Sequence, residues 1–235
     1  PARAVAGAGA WWRAEGRSLA MASTLKGPVN DSPLDQGGHL LEVSDLYVEF
    51  RTSVGVVEAV NGISYTLDEG EALAILGESG SGKSVSAEAV MGIIESPPGF
   101  VTDGSVLYRG TDLLKLNDRE RRKIRGPRIA MIFQDAQAAL DPAFTVGYQI
   151  AEMFRVHHGD SRREATAKAV ELMERVHIPS APERANDYPH QFSGGMAQRV
   201  LIAMAIALGP DILIADEPTT ALDVTIQAQV MKLLA

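Results

Sequence analysis

Apolar and polar residues alternate through "LEVSDLYVEF" (41 to 50) and "ISYTL" (63 to 67). The pattern puts Leu46, Val48 and Phe50 on one face, and Ile63, Tyr65 and Leu67 on another, as expected for half-buried antiparallel strands. Three shorter runs do not alternate: "ALAILG" (72 to 77), "RIAMIF" (128 to 133) and "DILIAD" (211 to 216) are continuously apolar. Such runs suit strands covered on both faces in a parallel sheet. Between them the period changes. "SRREATAKAVELMERVHI" (161 to 178) opens with Ser161 and Glu164 at capping-box spacing and carries Ala169, Leu172, Met173 and Val176 along one stripe. Strands alternating with helices predict an α/β core, and the mostly helical signals between Gln134 and Ser193 predict an inserted helical lobe at about 136–195.

Turn signals divide these elements. Pro97, Pro98 and Gly99 mark one loop, and "IPSAPERANDYPHQ" (178 to 191) a second connector. "VLIAMAIALG" (200 to 209) is the most apolar run, but it is too short to span a bilayer and is flanked by Arg199 and Pro210, so a buried core helix is expected. "PARAVAGAGAWWRAEGRSLA" is Ala/Gly-rich and lacks the order of a secretory signal. We set residues 1–38 aside as a disordered tail, with translation starting at Met21 and the fold running over 39–235. His157 and His158 are neighbours and cannot share one helix face, so they read as a solvated pair, not metal ligands.

Composition narrows the function. The chain has 235 residues, 46% of them hydrophobic, enough for one large domain. Its net charge of −8 and the absence of a long Lys/Arg block argue against a general nucleic-acid surface. The absence of cysteine excludes disulfides and thiolate metal sites.

The chemistry begins at "GESGSGKS", the residues Gly77, Glu78, Ser79, Gly80, Ser81, Gly82, Lys83 and Ser84. This fits the phosphate-loop pattern G-x-x-x-x-G-K-[ST], with an apolar strand before it and a helical pattern after it. Glycines let backbone N–H groups turn toward phosphate, and the helix presents its positive end. Lys83 can neutralise β/γ-phosphate charge and Ser84 can ligate Mg²⁺. "DILIADE" ends a buried strand with two acids. An uncompensated carboxylate there is costly, so Asp216 is expected to face the Mg²⁺ of a nucleotide, and Glu217 to hold water as general base. In "FSGGMAQR" (192 to 199), Ser193, Gly194 and Gly195 precede a helix and offer a second phosphate cradle. Two unlike cradles in one chain fit a head-to-tail dimer that sandwiches nucleotide.

These motifs occur in the order of the ATP-binding cassette of ABC transporters, which the chain resembles from about Leu41 to Ala235: the Walker A loop, Gln134 in "MIFQD", the "FSGGM" signature, Walker B ending in Asp216 and Glu217, and "ALD" with Asp223. "GESGSGKSV", "PHQFSGGM" and "DEPTTALDVTIQAQV" look more narrowly like the ATPase subunits of oligopeptide, dipeptide and nickel importers. The resemblance implies a P-loop NTPase cassette with a RecA-like core, an N-terminal antiparallel β subdomain and an inserted helical subdomain. It also implies ATP and Mg²⁺ as cofactors. Gln134 would sense Mg²⁺ and γ-phosphate, and Asp223 would link two ATP sites. Phe50 is the candidate for stacking on adenine, with Tyr47 close by and a core-strand role open for both. Implied partners are a second cassette, identical or paralogous, transmembrane permease subunits and, indirectly, an extracytoplasmic solute-binding protein, with no nucleic acid. The implied location is the cytoplasmic face of the membrane.

Two positions depart from the importer pattern. Ala136 replaces a common Pro, which is expected to loosen the segment after Gln134. Ala197 replaces a common Arg, which is expected to remove an interface charge. The family's switch histidine, its strand and the importers' C-terminal extension are expected beyond Ala235; His190 precedes the signature and cannot substitute. A chain ending at Ala235 would leave strands unpaired and be deficient in hydrolysis. A soluble ABC ATPase acting on ribosomes or DNA is the alternative, disfavoured by the short interval from Gln134 to Ser193 and by the acidic balance. A nucleotide-binding chain without hydrolysis is a third reading.

Overall fold

The structure, a computed structural model, describes residues 3–6, 18–23, 38–218 and residue 227. It divides into two compact units, Pro1–Arg125 and Gly126–Ala235.

The first unit carries strands β1 (Arg3–Ala6), β2 (Ser18–Ser23), β3 (Leu41–Thr52), β4 (Gly55–Leu67) and β5 (Ala72–Gly77). Helix α1 (Lys83–Met91), strands β6 (Gly99–Tyr108) and β7 (Thr111–Asp112), and helix α2 (Asp118–Ile124) follow. β4, β3, β6 and β7 form an antiparallel sheet in that order. On the expected face of β3, Leu46 and Val48 are buried and Phe50 is half-buried; Leu41 and Val43, which lie one position out of phase with them, are buried as well. The phase changes at a bulge around Asp45, whose φ is +46° and whose N–H donates to Ser64 Oγ at 2.8 Å. One extra residue in a strand turns every later side chain over, so the buried stripe survives by changing parity. Gly104 makes this possible, since a Cβ there would lie 2.4 Å from the Asp45 carbonyl oxygen.

β5 differs from the expectation of a parallel neighbour. Within its unit it pairs antiparallel with β1 and with β2, at Arg3↔Leu76 and Ser18↔Gly77 among other rungs. Residues 3–6 and 18–23, set aside with the expected tail, are the two segments that form these strands. An apolar strand with open N–H and C=O groups is a template for a short extended segment.

The second unit contains strands β8 (Ile129–Ile132) and β9 (Ile212–Asp216). They run parallel and every residue in both is buried, as the unbroken apolar runs predict. Between them lie α3 (Ala136–Ala139), α4 (Val146–His157), α5 (Arg162–Arg175), α6 (Ala181–Arg184) and α7 (Gly194–Ile206). α5 starts with the expected reciprocal cap: Ser161 Oγ accepts from the Glu164 N–H, while the Glu164 side chain accepts from the Ser161 N–H. Ala169, Leu172, Met173 and Val176 are all buried. α4, α5 and α7 pack on one another, and α7 is the apolar centre, with Val200, Ile202 and Ala203 fully buried. Among the described residues, no helix is long and apolar enough to cross a membrane.

Candidate functional site

In the first unit, the turn from β5 into α1 places the phosphate-loop residues. Gly80 and Gly82 have φ of +77° and +86°, a region costly for residues with a Cβ. Gly82 is constrained twice, because a Cβ there would also lie 2.2 Å from the Ala59 carbonyl oxygen. It caps α1, whose first turn holds no acidic residue. The unpaired N–H groups of that turn thus face no competing carboxylate on their own helix. Glu78, Ser79 and Gly80 are exposed, while Ser81 and Ser84 are half-buried.

Lys83 is only 6% exposed, and its ammonium is satisfied at short range. Nζ donates to the carbonyl oxygens of Gly77 (3.0 Å) and Glu78 (2.8 Å) and to Ser81 Oγ (3.4 Å). A buried cation needs such acceptors, and a phosphate supplies stronger ones. The loop therefore holds a charge beside a helix N-terminus in a cradle that only glycines permit.

In the second unit, strand register brings Gln134 and Glu217 together. Ile132 pairs with Ala215, so the residues two positions beyond each emerge level at the ends of β8 and β9. Gln134 Nε2 donates to Glu217 Oε2 at 3.0 Å. Glu217 has a φ of +48°, a sharp left-handed exit from the strand that separates it from Asp216. Asp216 remains 4% exposed at the strand end. Within this unit, Asp216 and Gln134 carry oxygen donors of the kind that suits a hard divalent cation.

The signature forms the N-terminus of α7. Ser193 caps it, its Oγ accepting from the Met196 N–H at 3.4 Å, and both Ser193 and Gly194 are exposed. A Cβ on Gly194 would meet nothing within 4 Å, so space remains over the helix start. Gln137 Nε2 donates to the Phe192 carbonyl at 3.3 Å, tying the turn after Gln134 to the signature. No sequence pattern signalled that link, nor the Gln134 to Glu217 bond; both depend on distant residues meeting.

The departures acquire different meanings. Ala197 is fully buried in α7, so the loss of an interface charge is corrected to a change at a packed position. Ala136 is the buried first residue of α3, where Pro and Ala are both accommodated. Asp135 caps that turn by accepting from the Gln137 and Ala138 N–H groups, which opposes the expected loosening.

Phe50 is half-buried and pairs across the sheet with Val57 and Gly99. Tyr47 is 37% exposed, with its hydroxyl over Gly62, 2.7 Å from where a Cβ would stand. Asp223 lies outside the described residues. The sequence reading also missed an exposed aromatic pair: Phe144 and Tyr148 stack with centroids 5.0 Å apart. Buried Gln149 holds their loop, donating to the Asp141 and Phe144 carbonyls and accepting from the Asp141 N–H.

Comparison with known proteins places these features in a family. The ABC transporter family matches residues 60–220. The oligopeptide transport ATP-binding protein OppD of Bacillus subtilis (strain 168) is 53% identical over 195 residues, covering 83% of this chain and 54% of OppD. The dipeptide transport ATP-binding protein DppD of Lactococcus lactis subsp. cremoris (strain MG1363) is 51% identical over 197 residues, covering 83% and 56%. The chain thus spans little more than half the length of these curated relatives. A solved dimeric structure of the ATP-binding cassette MJ0796, in a post-hydrolysis state bound to ADP and Pi, is similar with a TM-score of 0.71 and 27% identity, covering 83% of this chain and 81% of that one. The α/β fold is that of an ABC ATPase cassette, and the chain belongs to the ABC transporter family.

Proposed function

We propose that the chain is the ATP-binding part of an importer ATPase that hydrolyses ATP in a head-to-tail cassette dimer to drive uptake of peptides or a related small solute. The observation that carries this reading is the preformed phosphate loop, with Lys83 buried against Gly77, Glu78 and Ser81. Its sequence relatives are oligopeptide and dipeptide transport ATP-binding proteins, and the MJ0796 cassette is dimeric. Residues 77–84 bind the phosphates, and Lys83 exchanges its carbonyl acceptors for phosphate oxygens. Phe50 stacks on adenine. Ser193, Gly194 and Gly195 present α7 to the nucleotide of the partner cassette, and Asp223 joins the two sites. Ser84, Asp216 and Gln134 would hold Mg²⁺, which supplies charge neutralisation for phosphoryl transfer. Glu217 accepts the proton of the attacking water.

The partners in this reading are a second cassette and permease subunits, with an extracytoplasmic solute-binding protein acting through the permease, all at the cytoplasmic face of the membrane. The stacked Phe144 and Tyr148 offer a rigid aromatic anchor for a permease segment. The test uses the complete protein reconstituted with its permease. Glu217→Gln should lower phosphate release by about 10²–10⁴-fold while ATP stays bound. Normal turnover in that variant refutes the role of Glu217, and ATP binding without hydrolysis by the unaltered protein supports the non-hydrolysing reading instead.

A further inference from the structure

The two side chains that meet beyond β8 and β9 have unequal hydrogen-bonding capacity. An ionised carboxylate only accepts, whereas a carboxamide has one accepting and one donating end. The 3.0 Å bond from Gln134 Nε2 to Glu217 Oε2 therefore does more than record proximity: with the donating end committed to the acid, Oε1 is the end left available. Gln134 is exposed, so close packing does not select between the two orientations of its amide. Both follow fully buried strands, but Glu217 comes directly after β9 and is half-buried, whereas Gln134 stands two residues beyond β8 and is exposed.

We propose that Glu217 is a positioning residue for Gln134: its carboxylate selects the amide orientation that leaves Oε1 free to ligate a divalent cation. This deepens the nucleotide-binding reading and rests on it. An amide turned the other way would offer N–H groups, which repel a cation. Glu217 thus has a task before water is activated, and cation affinity depends on an acid that need not touch the cation.

The experiment uses Mn²⁺ as the probe, titrated by its electron paramagnetic resonance signal into the complete protein saturated with ADP, so that turnover is not involved. Wild type, Glu217→Ala, Gln134→Ala and the double variant form a cycle. Loss of a negative charge weakens Mn²⁺ binding in both backgrounds. Positioning adds a further loosening of about tenfold in Glu217→Ala that disappears when Gln134 is already Ala. Glu217→Gln, which loses the charge and keeps an accepting oxygen, should fall between wild type and Glu217→Ala. A second measurement needs no ligand: the Gln134 side-chain amide resonances of the nucleotide-free protein should move in Glu217→Ala. Equal loosening in both backgrounds, or unmoved amide resonances, overturns the proposal and leaves nucleotide binding standing. Failure of the wild-type protein to bind ADP overturns the reading beneath it and the proposal together.

Discussion

Lys83 and Glu217 each follow an apolar strand, β5 and β9, but their partners lie at very different distances along the chain. Lys83 reaches acceptors two to six residues away, at Ser81, Glu78 and Gly77. Glu217 meets Gln134 across 83 positions. The first arrangement follows once β5 turns into α1, because the groups involved are carried by one short loop. The second exists only while β8 and β9 keep the register that pairs Ile132 with Ala215. A slip of one residue would carry one partner away from the other and reverse its facing. Local contacts make a motif readable, and long-range contacts make a site adjustable.

Lys83→Ala is the strongest test of that contrast. Removing the phosphate-loop cation should lower ATP turnover by about 10²–10³-fold or more, as for loss of a preorganised charge donor. Its effect should stay within the loop. Phosphate release measures the first expectation, and the Gln134 side-chain amide resonances of the nucleotide-free protein measure the second. If those resonances move as they do in Glu217→Ala, the two arrangements are not independently held and the comparison fails.

Gly82→Ala should have the next largest effect, and it exposes where the loop's locality ends. The added Cβ meets a left-handed φ of +86° and the Ala59 carbonyl oxygen at 2.2 Å. Backbone strain alone costs about 1–3 kcal/mol, and the contact requires β4 or the loop to shift. Nucleotide binding should be lost while most of the fold persists, which calorimetric titration with ADP and thermal unfolding would separate. ADP binding of wild-type strength would show that β4 does not constrain the loop.

The sequence made the local parts of this molecule legible. The loop at 77–84, the cap formed by Ser161 and Glu164, and the buried stripe of α5 each depend on residues a turn or two apart. The apolar runs also located β5, β8 and β9. What alternation could not reveal was the parity change at Asp45, because a bulge requires a partner strand to define it. Nor could composition show that residues 3–6 and 18–23 would pair with β5. Ala197 was misread for a related reason: a polar motif beside it suggested an exposed interface, whereas helical rotation carries it into the core.

The smallest expected effect is at a contact as local as that of Lys83, a cap closed within one helical turn. Ser161 and Glu164 cap α5 reciprocally, with the Ser161 hydroxyl 2.6 Å from Glu164 Oε2 and the Ser161 N–H donating to the same oxygen at 3.0 Å. The Ser161 hydroxyl first, and its N–H second, hold the Glu164 carboxyl below its ordinary value of 4.5. A depressed folded-state value means that the cap's contribution is fully present above the ordinary value and is lost as pH falls through the lowered one. Ser161→Ala should therefore lower the Tm by about 2–4 °C near neutral pH, and by less as the solution is acidified below the ordinary carboxylate value. Thermal unfolding of both proteins across that range measures the convergence. A gap that stays constant through acidification would show that the hydroxyl cap acts without the carboxylate, and that even this three-residue contact is not the closed unit its geometry describes.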